Sequence, residues 1–385
     1  MLGLLYFGRL EKEKWIDGII DMIELFGKKD KELPFQIFIF GSGSREKRIQ
    51  EVAEKYKNIH FFWRQNLDTI KRYVNNCNYC LIPSECIETF GLSALTAIKL
   101  WLPPIGYAKW GLKDFIDPKF DLTHQPWNTT GEKILHLITS LTTKPPIPNS
   151  QFPIPNSKLL VPEWYSKDSR IVRFHALAGK KVKKIIIVSD FINRIWGIET
   201  YINDAKELLE QHGYEVELCG WTVPSGPVGT IAKYLGIITG LGNFWETIKL
   251  QRKIKKIQPD LIRYNSVMRY LGRAPLRISK QSSAKKWMMF HDLGYFYPFP
   301  SQLANEHQII TPLTLQKFLN SYPTKNPLKK LAIIGKYISL HLIKQQLQKK
   351  VDMYLVPSLF MKNILHKSYS IDSDKIEVFS HFIQE

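Results

Sequence analysis

The 385-residue sequence lacks long hydrophobic runs, although 44% of its residues are hydrophobic. It contains no stretch of about 18 or more uncharged apolar residues, the length that a spanning helix needs. Its N-terminus also lacks the basic region and apolar core of a signal peptide. We therefore predict neither a membrane-spanning helix nor a signal peptide, and we expect the chain to stay in the cytoplasm. The length is sufficient for two ordinary hydrophobic cores, so we expect two domains.

Cysteine is scarce, with four residues in the whole chain. Cys77 and Cys80 have the spacing of a metal-binding or redox pair, but no second pair or histidine cluster completes a zinc set. Cys80 falls in a predicted strand, and a free cysteine packs there as a small hydrophobe. We therefore favour core packing over metal binding for these cysteines.

Acidic residues are outnumbered by basic ones, 35 against 54, which gives a formal net charge of +19. A basic surface favours anionic lipid, nucleic acid or a phosphorylated substrate. Residues 328–350 carry no acidic residue and are predicted to form a long helix with six lysines. Its apolar residues form one stripe that includes Leu331, Ile334, Ile338 and Leu342. Such a helix can lie on an anionic membrane, but we favour packing of the stripe on a sheet, because a strand follows at once.

Short apolar strands alternate with helical patterns in both halves of the chain. This alternation is typical of an α/β fold with a parallel sheet covered on both faces. Gly41 and Gly43 follow a predicted strand, but they lack the third glycine and the distal acid of a dinucleotide fingerprint. A nicotinamide cofactor is therefore not expected.

A proline-rich stretch at residues 142–158 divides the two halves, with Pro-Ile-Pro-Asn-Ser occurring twice. Proline removes backbone donors and fixes φ, so this stretch is predicted to be an extended linker or insertion. A helical pattern follows within residues 159–181. The first domain is thus expected at residues 1–141 and the second at residues 182–385.

The most informative segment runs from Pro83 to Gly111. Here Glu88, Thr89, Phe90 and Gly91 form a loop between a predicted buried strand and a predicted helix. The free N–H groups and the positive dipole end of a helix N-terminus suit a phosphate or another polar ligand. The small Gly91 would let such a ligand come close.

This segment resembles the signature of the retaining glycosyltransferases of family 4, which have the GT-B fold. In that family Glu-x-Phe-Gly-Leu opens the donor-sugar helix, and a second glutamate follows eight residues after the first. Glu88, Phe90, Gly91 and Leu92 match this pattern, while Thr96 stands at the position of the second glutamate. The resemblance implies that Glu88 hydrogen-bonds hydroxyls of the donor sugar and that the backbone of the loop supports it.

The segment from Gly8 to Trp15 resembles Gly-Arg-Leu-x-x-Glu-Lys-Gly of the same family, whose arginine and lysine hold the donor diphosphate. The resemblance implies this role for Arg9 and Lys14, which would also stabilise the departing nucleotide. Trp15 replaces the last glycine of the pattern. The alternative is that both cations are solvated surface charges.

The second half of the chain resembles the N-terminal half of the same family. Gly197 keeps the second glycine of the family's Gly-Gly-x-Glu loop and could approach the donor phosphates, or it is a simple turn glycine. A strand predicted at Lys286–Phe290 delivers His291 to its carboxyl end, where open α/β sheets bind ligands. The family has a histidine at this point against the donor sugar. The alternative is that His291 is a satisfied core residue.

The resembling halves come in reversed order, with the donor-binding half first. A circular permutation of one enzyme, with both halves lining one cleft, and a fusion of parts of two enzymes both fit this order. Thr96, Trp15, Trp101 and Trp196 depart from the family pattern, which leaves an inactive membrane-surface or protein-binding relative as an alternative. A nucleic-acid partner is not expected, because the basic residues are not interleaved with a recognition motif.

The sequence thus predicts a GT-B fold of two doubly wound, Rossmann-like α/β domains in permuted order. The resemblance implies a hexosyltransferase that uses a nucleotide-diphosphate sugar and a glycan or lipid-linked acceptor, with retention and without a metal or other cofactor. A role in cell-envelope polysaccharide biosynthesis and a peripheral position at the inner face of an anionic membrane are expected. The predicted catalytic residues are His291 and Glu88; the diphosphate-binding residues are Arg9, Lys14 and Gly197; the residues that bind sugar or nucleotide are Glu88, Thr89, Phe90, Gly91 and Thr96.

Overall fold

The computed structural model describes residues 1–29, 33–142, 167–192, 197–221, 244–265, 267, 274–279, 282–294, 314–320 and 325–379. The chain divides into two compact units. The described residues up to 142 lie in the first unit, and those from 167 onward lie in the second. Trp196 and almost all of the proline-rich stretch fall outside the described residues, so the predicted linker stays a prediction.

The first unit contains five strands and five α-helices among its described residues. In chain order they are β1 (Leu2–Arg9), α1 (Ile16–Lys29), β2 (Phe35–Ser42), α2 (Glu46–Lys55), β3 (Ile59–Phe62), α3 (Leu67–Val74), β4 (Tyr79–Ile82), α4 (Leu92–Lys99), β5 (Pro104–Gly106) and α5 (Thr130–Thr142). The strands form one parallel sheet in the order β3-β2-β1-β4-β5. Their apolar residues are mostly buried, as in a sheet with helices on both faces.

The second unit contains six strands and seven α-helices among its described residues. They are α6 (Lys167–Ala178), β6 (Lys184–Phe191), α7 (Gly197–Gln211), β7 (Glu215–Trp221), α8 (Phe244–Ile257), β8 (Leu261–Tyr264), α9 (Ala274–Ile278), β9 (Lys285–Met289), α10 (Leu315–Asn320), α11 (Pro327–Lys350), β10 (Met353–Val356), α12 (Leu359–Tyr369) and β11 (Ile376–Val378). The strands form a parallel sheet in the order β11-β10-β9-β8-β6-β7. The predicted α/β class with two parallel sheets is therefore confirmed.

Helix α6 belongs to the core of the second unit. Its residues Ile171 and Phe174 are buried, and the Phe174 ring stands edge-on to the Trp287 ring of β9 at 5.5 Å between centroids. Arg173 of α6 also forms an ion pair with Glu377 of β11, with Nη2 and Oε2 3.0 Å apart. The helix is therefore anchored to both the middle and the last strand of this unit.

Two tryptophans occupy left-handed backbone conformations at positions where the resembling family has glycine. Trp15 has φ 54° and Trp101 has φ 62°. After α4 the N–H of Trp101 donates to the carbonyl of Ile98, and the N–H of Leu102 donates to that of Ala97, both at 2.9 Å. These two bonds form a Schellman motif, in which the left-handed residue is usually glycine. The backbone thus keeps the turn, at a cost on the order of 1–2 kcal/mol for a residue with a side chain.

The prediction that the apolar stripe of residues 328–350 packs on a sheet is wrong for two of its members. Leu331 is 64% exposed and Ile338 is 51% exposed. Among the described side chains of α11, the buried leucines are Leu340 and Leu347. At about 100° of rotation per residue, Leu340 lies on the face opposite Leu331. The buried side of the helix therefore carries Leu340 and Leu347, and it is not the side of Leu331 and Ile338.

All four cysteines are buried and free, as core packing predicts. Among the described residues, no group of three or more histidine, cysteine or acidic side chains could hold a metal ion. No helix in the described part of the chain is long and apolar enough to cross a bilayer.

Candidate functional site

Adjacent strands bring two of the predicted segments to the same edge of the first sheet. In the parallel register of β1 and β4, Leu5 lies beside Cys80, so that Arg9 and Ile82 end neighbouring strands. Lys14 ends the short 3-10 turn that follows β1, and Glu88 lies in the loop after β4. Open α/β sheets bind ligands at this carboxyl edge.

Lys14 and Glu88 form an ion pair at this edge. Their side chains are mostly buried, at 23% and 20% exposure. The hydroxyl of Ser84 donates a second hydrogen bond to the same carboxylate oxygen, at 3.0 Å. The sequence pattern predicts separate ligands for Lys14 and Glu88 and gives no role to Ser84. The available signal for Ser84 was its position as a polar residue just after a buried strand.

Lys14 and Glu88 stabilise each other's charged forms, which offsets the unfavourable effect of burial on a charge. Burial alone opposes the charged form of both groups, but the attraction and hydrogen bond between them outweigh it. The pKa of Glu88 therefore lies below its usual value, with Ser84 also contributing, and the pKa of Lys14 lies above its usual value. Both groups are ionised at neutral pH.

Arg9 stands beside this pair without joining it. Its side chain is 56% exposed, and its Nη1 lies 3.4 Å from Oε1 of Glu13. The carbonyl of Arg9 accepts a hydrogen bond of 2.8 Å from the buried Tyr6 hydroxyl. The pKa of Tyr6 is raised, chiefly by burial, so that this hydroxyl stays protonated. The edge thus carries two cations, an exposed one paired with Glu13 and a mostly buried one paired with Glu88.

Two glycines fix the loop from Glu88 to Gly91. The N–H of Gly111 donates to the carbonyl of Glu88 at 2.9 Å. A Cβ at Gly111 would lie 2.6–2.7 Å from backbone atoms of this loop, so only glycine fits there. Gly91 precedes α4 with φ +97°, and a Cβ on it would lie 2.6 Å from Cδ2 of Leu112. The loop therefore depends on backbone contacts at Gly111 that no larger residue allows, and on the left-handed conformation of Gly91.

Phe90 and Thr96 make contacts within the protein. Phe90 is buried and stands edge-on to Phe115, with the ring centroids 5.3 Å apart. The hydroxyl of Thr96 donates to the carbonyl of Leu92 in its own helix at 2.8 Å. Phe90 thus holds the loop by packing, and a ligand that needs the Thr96 hydroxyl as a donor would have to replace a helix carbonyl. The binding roles of both residues stay predictions.

Glu85, which the sequence analysis did not single out, joins this loop to the start of α5. Its Oε1 accepts from the hydroxyl of Thr130 at 3.1 Å. The hydroxyl of Thr130 lies 2.8 Å from that of Tyr107, which is buried. Glu85 therefore has a positioning role three residues before Glu88.

In the glycine-containing loop after β2, two carboxylates accept hydrogen bonds from backbone N–H groups. The N–H of Gly43 donates to the Glu46 carboxylate at 2.8 Å, and the N–H of Ser44 donates to the Glu11 carboxylate at 3.1 Å. A phosphate at this loop would have to displace two carboxylates. The ligand-accessible edge of the first sheet therefore centres on β1 and β4.

In the second unit, His291 lies just after β9 and is buried. Its Nε2 is 3.0 Å from Oδ1 of Asn265, and Nη2 of the buried Arg263 is 3.4 Å from the same oxygen. An amide oxygen is only an acceptor, so Nε2 of His291 donates this hydrogen bond, and in a neutral ring the lone pair would be on Nδ1. The His291 ring also stands edge-on to Tyr201 at 5.2 Å. Sequence reasoning missed Asn265, whose signal was its place as the first residue after β8.

The remaining predicted residue, Gly197, is the first residue of α7 and so follows β6 at the carboxyl edge of the second sheet. The structure thus groups Arg9, Lys14, Glu88 and the loop to Gly91 in the first unit. Gly197 and His291 belong to the second unit. The proposed sharing of one cleft stays a prediction.

Both halves of the chain match glycosyltransferase families. Residues 3–148 match the family described as Glycosyl transferases group 1. Residues 195–384 match the family described as Glycosyltransferase Family 4. No curated protein sequence matches the chain.

Solved glycosyltransferase structures overlap parts of the chain. The pneumococcal O-GlcNAc transferase GtfA, in complex with UDP and GlcNAc, is 24% identical over 36% of this chain and 29% of its own, with a TM-score of 0.29. A mutant of TarM from S. aureus is 22% identical over 46% of this chain and 35% of its own, with a TM-score of 0.34. The catalytic domain of cholesterol-alpha-glucosyltransferase from Helicobacter pylori is 18% identical over 37% of this chain and 89% of its own, with a TM-score of 0.29. The chain thus spans about a third of the first two, and the overlaps are too partial to carry a functional argument.

Proposed function

We propose that this chain, whose halves match two glycosyltransferase families, is a retaining hexosyltransferase that uses a nucleotide-diphosphate sugar. In this proposal the first unit binds the donor and the second unit supplies the acceptor side. The acceptor is a glycan or a lipid-linked sugar, and no metal takes part. Both units serve one reaction, as in a circularly permuted enzyme.

The observation that carries the proposal is the Lys14–Glu88 pair at the carboxyl edge of β1 and β4. A donor diphosphate would replace Glu88 as the partner of Lys14, and the exposed Arg9 beside it would contribute a second cation. Charge-assisted contacts of this kind also stabilise the negative charge that develops on the departing nucleotide. Glu88, released from Lys14, would accept hydrogen bonds from the hydroxyls of the sugar.

The loop around Glu88 supports this assignment by its rigidity. The N–H of Gly111 holds the carbonyl of Glu88, and Gly91, the last residue of the loop, places no side chain at the start of α4. The N–H groups at a helix N-terminus and the positive end of the helix dipole favour a polar or anionic ligand. Thr89 would contribute its backbone there.

His291 would act on the sugar or on the acceptor hydroxyl. Asn265 accepts a hydrogen bond from Nε2, so the lone pair of the neutral ring would be on Nδ1. Nδ1 would then accept a hydrogen bond from a hydroxyl. In this arrangement Asn265 sets the tautomer, and Arg263 holds the amide oxygen of Asn265 in place.

A second candidate function is a catalytically inactive relative that binds a partner protein or a membrane surface. Thr96 favours it, because its hydroxyl is bonded to the helix carbonyl of Leu92 and no second carboxylate stands at that position. A carboxylate has two oxygens that could each accept from one ribose hydroxyl, whereas threonine offers a single oxygen.

Isothermal titration of the full chain with UDP-, GDP- and ADP-sugars tests the proposal. We expect saturable binding of one donor, weakened about 10- to 100-fold in Lys14→Ala, as a charge-assisted hydrogen bond requires. Lys12→Ala is the matched control, because Lys12 is an exposed lysine in the same turn and should leave affinity unchanged. Transfer or donor hydrolysis should be lost in both Glu88→Ala and His291→Ala.

Unchanged affinity in Lys14→Ala would refute the diphosphate assignment. Activity that survives in His291→Ala but not in Glu88→Ala would refute the assignment of both units to one reaction. If the chain binds none of these donors, the proposed enzyme activity is refuted and the second candidate function, an inactive relative, is favoured.

A further inference from the structure

A cavity of about 20 Å³ lies in the second unit, between its sheet and the helices α6 and α7. This volume suits one particle of the size of a water molecule or a monatomic ion. Most of the lining residues are apolar or aromatic, among them Phe174, Tyr201, Ala205 and Phe379. Arg170 and Arg263 line it as well, and no acidic side chain of the described residues does. The charged groups at this cavity are therefore all positive.

Arg263 occupies a core position of strand β8. Side chains two residues apart on a strand share a face, so Arg263 lies on the face of Leu261. Leu261 belongs to the hydrophobic core that the sheet forms with α6 and α7, and so does Ile187, which pairs with Arg263 across the ladder to β6. Arg263 is 1% exposed, and Arg170 of α6 is 3% exposed. A strand that otherwise turns apolar side chains to the core thus places a guanidinium group beside the cavity.

The positive charge of Arg263 has no counter-ion in the part of the chain that the structure describes. Its Nη2 donates to the amide oxygen of Asn265 at 3.4 Å, and its guanidinium carbon lies 5.4 Å from the ring centroid of Tyr201. Its Nε has no hydrogen-bond partner. Arginine keeps its proton in proteins, so burial does not remove this charge. A neutral amide and an aromatic ring offset the cost of a buried cation only in part, whereas a contacting anion would offset it directly.

We propose that this cavity binds a monatomic anion, chloride under ordinary conditions, through the guanidinium group of Arg263. Arg170 contributes a second positive charge to the site. A phosphate or a nucleotide does not fit a cavity of this volume, and a water molecule would leave the charge of Arg263 without a counter-ion. Because the ion would bind the folded chain alone, it would stabilise the packing of α6 and α7 on the sheet. The site involves neither Lys14 nor Glu88, so this proposal and the proposed sugar transfer can fail separately.

Hydrogen exchange of the full chain tests the proposal. Peptides from α6 and α7 are followed in sodium chloride and in sodium gluconate at equal ionic strength. Opening of these helices releases the ion, so chloride at about ten times its dissociation constant should slow their exchange about tenfold. Gluconate is too large for the cavity and should not slow it. Bromide should act like chloride, and crystals of the unchanged chain grown in bromide should show an anomalous scattering peak beside Arg263.

Arg263→Met removes the charge and should abolish the slowing by chloride, and Arg263→Gln, which keeps a polar side chain, should do the same. The matched control is Arg173→Gln, because Arg173 lies on α6, is 43% exposed and pairs with Glu377 away from the cavity. This control should keep the response to chloride. Equal exchange in chloride and gluconate would overturn the proposal and assign the cavity to water. A response that persists without Arg263, one that is lost in Arg173→Gln, or a crystal in bromide without the peak would also overturn it.

Discussion

Removing either partner of the Lys14–Glu88 pair should destabilise the first unit more than removing both. Glu88→Gln leaves the mostly buried ammonium of Lys14 without its counter-ion, and Lys14→Met leaves the carboxylate with Ser84 alone. An unpaired charge in such a place costs more than the loss of the bond itself. In the double variant neither charge remains.

The size of the effect follows from burial. A hydrogen bond to a charged group contributes about 1.5–3 kcal/mol, and partial exposure of both side chains reduces the value by solvent screening. We therefore expect each single variant to cost about 2 kcal/mol and the coupling free energy between the two sites to be about 2.5–3 kcal/mol, so that the double variant costs about 1–1.5 kcal/mol. The assay is urea unfolding followed by hydrogen exchange of peptides from residues 1–29 and 67–100, which reports on the first unit alone.

The pH dependence of this coupling has a defined sign. The lowered pKa of Glu88 means that its contribution is present above the pKa of the unfolded chain and is lost as the pH falls through the folded pKa. The raised pKa of Lys14 means that its contribution is lost only as the pH rises through that folded pKa, above the usual lysine range. The coupling should therefore be constant around neutral pH and disappear in acid. A coupling below about 0.3 kcal/mol at neutral pH, or one that persists in acid, would refute the reasoning.

Two further predictions concern backbone geometry. Gly91→Ala should lower the free energy of unfolding by about 2–3 kcal/mol and weaken donor binding, because a Cβ would contact Leu112 and strain φ. Gly213→Ala is the control, since Gly213 has φ +82° and no atom within 4 Å of an added Cβ. It should cost only about 1 kcal/mol in the same unfolding assay. Equal losses of unfolding free energy in the two variants would show that the Leu112 side chain moves aside without cost. Trp101→Gly should raise stability by about 1 kcal/mol, because it relieves left-handed strain and Trp101 is 66% exposed, and a lower melting temperature would contradict this.

Strand and helix positions could be predicted because apolar runs and their spacing are local properties. The strand predicted at Lys286–Phe290 lies at Lys285–Met289, and α11 begins one residue before the predicted helix. The same local pattern placed Glu88 just before a helix and Lys14 just after a strand. Adjacency of β1 and β4 then puts both at one edge, but their direct pairing depends on side-chain conformations that a sequence pattern does not contain.

Features that depend on distant neighbours could not be predicted. The apolar stripe of α11 was visible in the sequence, but the buried side carries Leu340 and Leu347, and only the packing of the unit decides which side is covered. Asn265 is separated from His291 by 26 residues, and only the order of β8 and β9 makes them neighbours. Tryptophan at position 101 in place of glycine would predict a changed turn. The two backbone hydrogen bonds of the Schellman motif after α4 are nevertheless formed.

The ion pair at the edge of the first sheet acts as an internal competitor for the ligand. A free phosphate could take Lys14 only by leaving the Glu88 carboxylate without a cation, and a free sugar could take Glu88 only by leaving Lys14 without an anion. Either exchange costs about as much as it gains. A molecule that carries an anionic group and hydroxyl donors in one body satisfies both residues at once. In the proposed reaction this site would therefore favour the intact donor over the nucleotide diphosphate that the transfer releases.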